Sequence, residues 1–117
     1  MSGIHLYVNR GIVFDNTGQH DRAIQDFNEA IRMKPDLAKA HARRGGAYVN
    51  IGQHDRAIQD LNEAIRLKPD YFKAYSILGA VYVLTSKKEE GCRSFVRACE
   101  LGDYEGYEIS KQKDYCQ

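Results

Sequence analysis

Apolar residues along this chain fall mostly in stripes. Ala23, Ile24, Phe27, Ala30 and Ile31 recur at i, i+1, i+4, i+7 and i+8. That spacing places them on one side of a helix with about 3.6 residues per turn. Asp21 opens the stripe, where a negative charge complements the helix dipole. Pro35 closes it and pushes Lys34 away from helical dihedrals. The pattern predicts a helix over Asp21–Met33. A helix over Ile4–Thr17 precedes it and ends at Gly18, glycine being a usual helix terminator. The same grammar predicts helices over Leu37–Ile51, Asp55–Leu67, Tyr71–Thr85 and Lys87–Leu101. Ser86 with Glu89 makes a capping-box pattern ahead of the last. The longest apolar run, Ala74–Thr85, is interrupted by Ser76 and Gly79. It falls short of the about 20 residues of a membrane span and reads as a buried helix.

These elements recur with a fixed offset. GQHDRAIQDFNEAIRMKPD, Gly18 to Asp36, returns almost unchanged as GQHDRAIQDLNEAIRLKPD, Gly52 to Asp70. The offset is 34 residues, the period of helix-turn-helix solenoids. A third copy drifts: Ser86 stands in the turn-glycine slot, Gly91 in the alanine slot and Asp103 in the proline slot. Tyr104–Tyr115 is a candidate seventh helix, rich in polar residues as a terminal cap requires. Gly45 and Gly46 lie inside a predicted helix, where each costs roughly 1 kcal/mol against alanine. The expected reason is close approach of a partner helix.

The repeat resembles the tetratricopeptide repeat. Gly11, Phe14, Ala23, Phe27, Ala30 and Pro35 fill that family's small, aromatic and proline slots. Gly45, Tyr48, Ala57, Leu61, Ala64 and Pro69 fill them again, and Gly79, Tyr82, Gly91, Phe95 and Ala98 follow more weakly. The resemblance implies an all-α, right-handed superhelical solenoid of three repeats with a C-terminal capping helix. It would form one domain over 1–117, with repeats near 4–37, 38–71 and 72–105 and a capping tail over 104–117. It also implies a protein–protein interaction module, an adaptor or scaffold whose first helix of each repeat lines a peptide groove. The inward slots then hold His5, Val8, Asn9, Ile12, Asp15 and Asn16 on the first helix. On the third they hold Lys39, Ala42, Arg43, Gly46, Val49 and Asn50. On the fifth they hold Lys73, Ser76, Ile77, Ala80, Val83 and Leu84. Lys39, Arg43 and Lys73 make a basic patch. Val8, Ile12, Val49, Ile77, Ala80 and Val83 make an apolar strip beside it, so the expected partner is an acidic and partly apolar peptide. Some family members clamp the acidic tails of heat-shock chaperones. Of the residues that clamp needs, this chain keeps Lys73, while the other slots read Val8, Ile12, Arg43 and Ile77.

Composition narrows the alternatives. The chain has 117 residues, a formal net charge of +1 and a pI near 7.7. Near-neutrality argues against a nucleic-acid partner, for which a basic excess is expected. The start, MSGIHLYVNRG, lacks a basic region followed by an apolar core, so no secretory signal is expected. Three cysteines, an odd number, suit a reducing compartment, and the expected location is cytoplasmic. Cys92 and Cys99 lie seven residues apart on one helix, about 10 Å along its axis. That spacing excludes a disulfide between them, and both are expected as buried thiols.

No chemistry stands out. His20-Asp21 and His54-Asp55 sit at turns and are duplicated with the repeat, with no nucleophile at matching spacing. His41 occupies an aromatic packing slot. No metal-binding, cofactor-binding or phosphate-loop motif occurs, so no catalytic, cofactor or metal site is expected. Two rival readings are a self-associating structural protein and a regulatory piece of a longer enzyme. Leu6 and Val13 take the slots of Ala40 and Ala47 but have no preceding repeat to cover them. They are the expected edge for a homo-oligomer.

Overall fold

A computed structural model describes residues 3–102. They form six helices: α1 Gly3–Asn16, α2 His20–Met33, α3 Ala38–Asn50, α4 His54–Leu67, α5 Phe72–Leu84 and α6 Lys88–Glu100. Every bound lies within one residue of the sequence expectation. Among the described residues there is no strand. The candidate seventh helix lies outside the described residues. The fold is an all-α helical repeat. Helices pair as α1 with α2, α3 with α4 and α5 with α6, and each second helix also packs on the first helix of the next pair.

Small residues set the spacing. Ala23, Ala30, Ala40, Ala47, Ala57, Ala64, Ala74 and Ala98 are fully buried, and Phe27, Leu61 and Val81 fill the space between backbones. A Cβ on Gly45 would stand 3.0 Å from Leu61 Cγ and 3.3 Å from the Ala57 carbonyl oxygen, so the close approach is real there. Gly46 is different: a Cβ there would meet nothing within 4 Å. Its glycine is not required by packing, which corrects the expectation for that position.

Turns follow the local chemistry. Lys34 and Lys68, each before a proline, are extended, with ψ of 90° and 88°. Gly18 and Gly52 take φ of 84° and 78°, the left-handed region that glycine enters freely. Ser86 holds the same conformation at φ 64°. The Ser86–Glu89 capping box is therefore not formed: the residue before α6 is Lys87, and it makes no side-chain cap. Satisfying the left-handed turn at Ser86 has taken precedence over capping. Cys92 is also corrected, because it is disulfide-bonded and not a free thiol. Cys99 is free and half-buried.

A polar lock holds each of the first two pairs together, and the second also reaches back to the first pair. Arg10 donates to Asp26 from Nε and Nη2 at 2.9 and 2.8 Å. One repeat later Arg44 donates to Asp60 at 2.8 and 2.7 Å, and its Nη1 reaches Asn28 Oδ1 at 2.8 Å. Parallel N–H bonds from one guanidinium to one carboxylate fix direction as well as distance. Hydrogen bonding to Asp26 and Asp60 raises the pKa of both arginines, which stay charged. His41 donates from Nε2 to the Pro35 carbonyl at 2.8 Å, pinning the loop between repeats. It is buried, as its packing slot implied.

Candidate groove between the third and fifth helices

The first helices of the repeats adjoin one another, α3 touching both α1 and α5. Their shared face carries a hollow of about 260 Å³ lined by Asp15, Ala42, Arg43, Gly46, Val49, Asn50, Tyr71, Lys73 and Ile77. That is slightly below the about 300–1,000 Å³ of small-molecule sites. It suits one or two side chains of a larger ligand. Ala42, Gly46, Val49 and Ile77 make its apolar floor, and the bare Gly46 backbone deepens it.

A second hollow adjoins the first and shares Arg43, Tyr71 and Lys73 with it. It adds Lys39, Lys68, Asp70, Phe72 and Leu101. Four cations thus surround one opening: Lys39, Arg43, Lys68 and Lys73. No carboxylate among the described residues lies within 4.0 Å of any of them. Elsewhere the arginines are largely neutralised, as in Arg32–Glu29, Arg66–Glu63, Arg93–Glu90 and Arg97–Glu100. Lys68 Nζ stands 4.9 Å from the centroid of the Tyr71 ring. Burial raises the Tyr71 pKa, with nearby Arg43 opposing, so the hydroxyl keeps its proton and can donate.

At the other end of the first hollow sits Asp15. Asn50 donates from Nδ2 to both its oxygens, at 3.2 and 3.3 Å, and His20 Nδ1 lies 2.6 Å from Oδ1. This contact joins residues 35 apart in sequence across the first two repeats.

The sequence-derived groove residues divide accordingly. Arg43, Val49, Asn50, Lys73 and Ile77 come together in the first hollow, and Lys39 joins them in the second. His5 and Asn9 do not: they flank Leu6, Arg10 and Val13 on the outer edge of α1. Val8 is only 4% exposed and belongs to the core, and Ile12 packs against the same core. Asn16 is exposed and lines neither hollow. Val83 lies beside Gly91 and lines a separate depression with Ser86 to Glu90. Tyr71 and Lys68 were missed because they stand in or before the loop leading into α5. Their signal was present: Tyr71 holds the slot of Leu37, and a polar aromatic replaces an aliphatic one there.

Solved structures similar to this one include domains of the same repeat. The TPR domain of Sgt2 from Aspergillus fumigatus superposes with a TM-score of 0.87 at 21% identity, over 97% of this chain and 80% of that one. The first TPR of Spaghetti (RPAP3), bound to the HSP90 peptide SRMEEVD, gives 0.88 at 25% identity, over 95% and 92%. The second TPR domain of human RPAP3, in complex with the HSP70 peptide SGPTIEEVD, gives 0.85 at 25% identity, over 98% and 100%. No curated protein matches the chain significantly in sequence. No described helix is long and apolar enough to cross a membrane, and no described cluster of His, Cys, Asp and Glu could hold a metal. The TPR-repeat family profile matches residues 11–52 and 45–85, the stretch whose glycines, alanines and prolines space the helices described above, and the chain belongs to the tetratricopeptide-repeat family.

Proposed function

We propose that this chain is a non-catalytic protein-interaction module, an adaptor that holds a short acidic and partly apolar peptide segment between α3 and α5. The observation that carries this reading is the set of unpaired cations around an apolar floor. Lys39, Arg43 and Lys73 come from two helices yet border one opening. Unpaired cations in one cleft attract carboxylates over several ångströms. Val49 and Ile77 supply apolar area, so binding need not be electrostatic alone. TPR domains of the same shape are bound to the HSP90 peptide SRMEEVD and the HSP70 peptide SGPTIEEVD, which supports peptide binding. The partner here is a different sequence, because the slots needed for that clamp hold Val8, Ile12, Arg43 and Ile77, and Val8 is buried.

The test uses fluorescein-labelled peptides rich in glutamate and leucine. Affinity falls as salt rises. The double substitution Arg43→Glu, Lys73→Glu weakens binding about tenfold and flattens the salt response, since charges at a rim act mainly on association rate and screening. Gly46→Leu blocks the hollow with helicity retained. Unchanged affinity in both variants refutes the groove reading.

One observation favours a second role. Leu6 and Val13 are 60% and 58% exposed, whereas Ala40 and Ala47 in the same slots are fully buried under the preceding repeat. This apolar edge suits self-association. Sedimentation at several concentrations tests it: a dimer that Leu6→Lys, Val13→Lys disrupts supports this role, and a concentration-independent monomer excludes it.

A further inference from the structure

We infer that the ligand of this groove is charge-polarised along the α3 axis, with carboxylates over the start of α3 and α5, an apolar side chain in the middle and a cationic group at Asp15. The inference rests on the groove reading above and adds to it an order of charges that composition alone does not supply.

Three observations converge on this order. Lys39, Arg43, Lys68 and Lys73, four cations against the single carboxylate of Asp70, line the hollow at one end; Arg43 and Lys73 continue into the adjoining hollow, whose far end carries Asp15 beside Asn50. Asp15 has His20 Nδ1 2.6 Å from Oδ1 as its one ion-pair neighbour, and no lysine or arginine among the described residues pairs with it. Asn50 orients its oxygens without adding charge. A ligand with acids at both ends would therefore gain at one end and be repelled at the other.

The helix termini reinforce the same direction. α2, α4 and α6 each carry an acid in the first turn: Asp21, Asp55, and Glu89 with Glu90. α3 and α5 carry none, and none of these five helices has a side-chain cap. The positive partial charge of an uncapped helix start attracts anions. On the second helices of the repeats the chain satisfies that preference itself. In the first turn of α3 and α5 it places lysines instead, Lys39 and Lys73, whose charge adds to the positive helix start at the end where the ligand's acids belong.

Length follows from helix geometry. Lys39 and Asn50 are eleven residues apart on α3, which is about 16 Å at 1.5 Å per residue. An extended strand covers that span in about five residues. The expected segment is thus short: two acids, one leucine-sized residue over Gly46, a spacer and one base.

Capped pentapeptides test this on the unmodified protein. Ac-EELAK-NH2 and its reversal Ac-KALEE-NH2 cover both chain directions, and Ac-ELKAE-NH2 has the same composition in scrambled order. Amide chemical shifts of the labelled protein report affinity. One of the two ordered peptides is expected to bind about fivefold more tightly than the scramble, the scale of one exposed ion pair. Its alanine analogue at the basic end should lose the same factor. Asp15→Asn, an isosteric change checked by circular dichroism, should erase that difference. Lys39→Glu, at an exposed position, should instead remove the preference for two glutamates. Equal binding of ordered and scrambled peptides, or an unchanged preference in Asp15→Asn, overturns the polarity while the groove reading stands. Binding of none of the peptides, or binding indifferent to Arg43→Glu, Lys73→Glu, overturns the groove reading and this inference with it.

Discussion

The second and third repeats build the same pair of helices with different chemistry. In the second, Arg44 and Asp60 lock α3 to α4 through parallel hydrogen bonds. One period later these positions hold Leu78 and Ser94, and Leu78 is 5% exposed within the apolar core. In the second, Gly52 enters the left-handed region without strain; in the third, Ser86 is forced there. In the second, Ala57 sits between helices; in the third, Gly91 does, with its Cα so close to α5 that an added Cβ would stand 2.8 Å from Val83 Cγ2. The backbone is held by spacing, and each repeat reaches that spacing by its own means. A polar lock and an apolar one are interchangeable for shape but not for response to conditions.

Breaking the locks gives the largest effects. Asp60→Ala leaves Arg44 without its carboxylate and costs about 3 kcal/mol, since a partly buried charge loses its partner. Leu78→Ala in the third repeat costs about the same through the cavity it leaves. Each lowers Tm by on the order of 10 °C. Added salt separates them: it narrows the gap between Asp60→Ala and the parent, and leaves the Leu78→Ala gap unchanged. Equal salt responses in thermal melts would show that the two locks are not of different kinds.

Exchanging the turn residues gives an intermediate effect. Ser86→Gly relieves a left-handed conformation and stabilises by about 1 kcal/mol. Gly52→Ser imposes the strain and costs about 1 kcal/mol. Urea titration of both variants reads the pair. Shifts of the same sign would mean that the turns differ by more than their residue.

The smallest effect is on the surface of the second repeat. The Arg66 guanidinium lowers the Glu63 pKa, first by hydrogen bonding and then by charge. A carboxyl with a depressed folded pKa stabilises above its unfolded value and loses that stabilisation as pH falls through the folded one. Both side chains are exposed enough for solvent to screen the pair, so stability changes little. An NMR titration should place Glu63 below the ordinary glutamate value, and Arg66→Gln should return it there.

How much was legible depends on whether a feature is local. Helix bounds were readable because Gly18, Gly52, Pro35 and Pro69 act through their own dihedrals. Ser86 misled because a serine beside Glu89 suits a cap, whereas closing the turn required its backbone to turn left-handed. Gly45 and Gly46 read alike in sequence. Only the position of Leu61 shows that one faces a helix and the other an open hollow.

The sequence by itself determined the repeat, its period, the six helices and the residues that space them. These follow from side-chain volume and backbone preference at each position, repeated every 34 residues. It also placed Lys39, Arg43 and Lys73 on one kind of helix face. The tertiary structure decided which of those faces converge. The angle between successive repeats sets whether an inward slot meets a neighbour or solvent, and no single repeat encodes that angle. It buried Val8, moved His5 and Asn9 to an outer edge, and brought Asp15 to Asn50 across two repeats. It also set Tyr71 and Lys68, a loop residue and the one that caps α4, beside the cations of two helices.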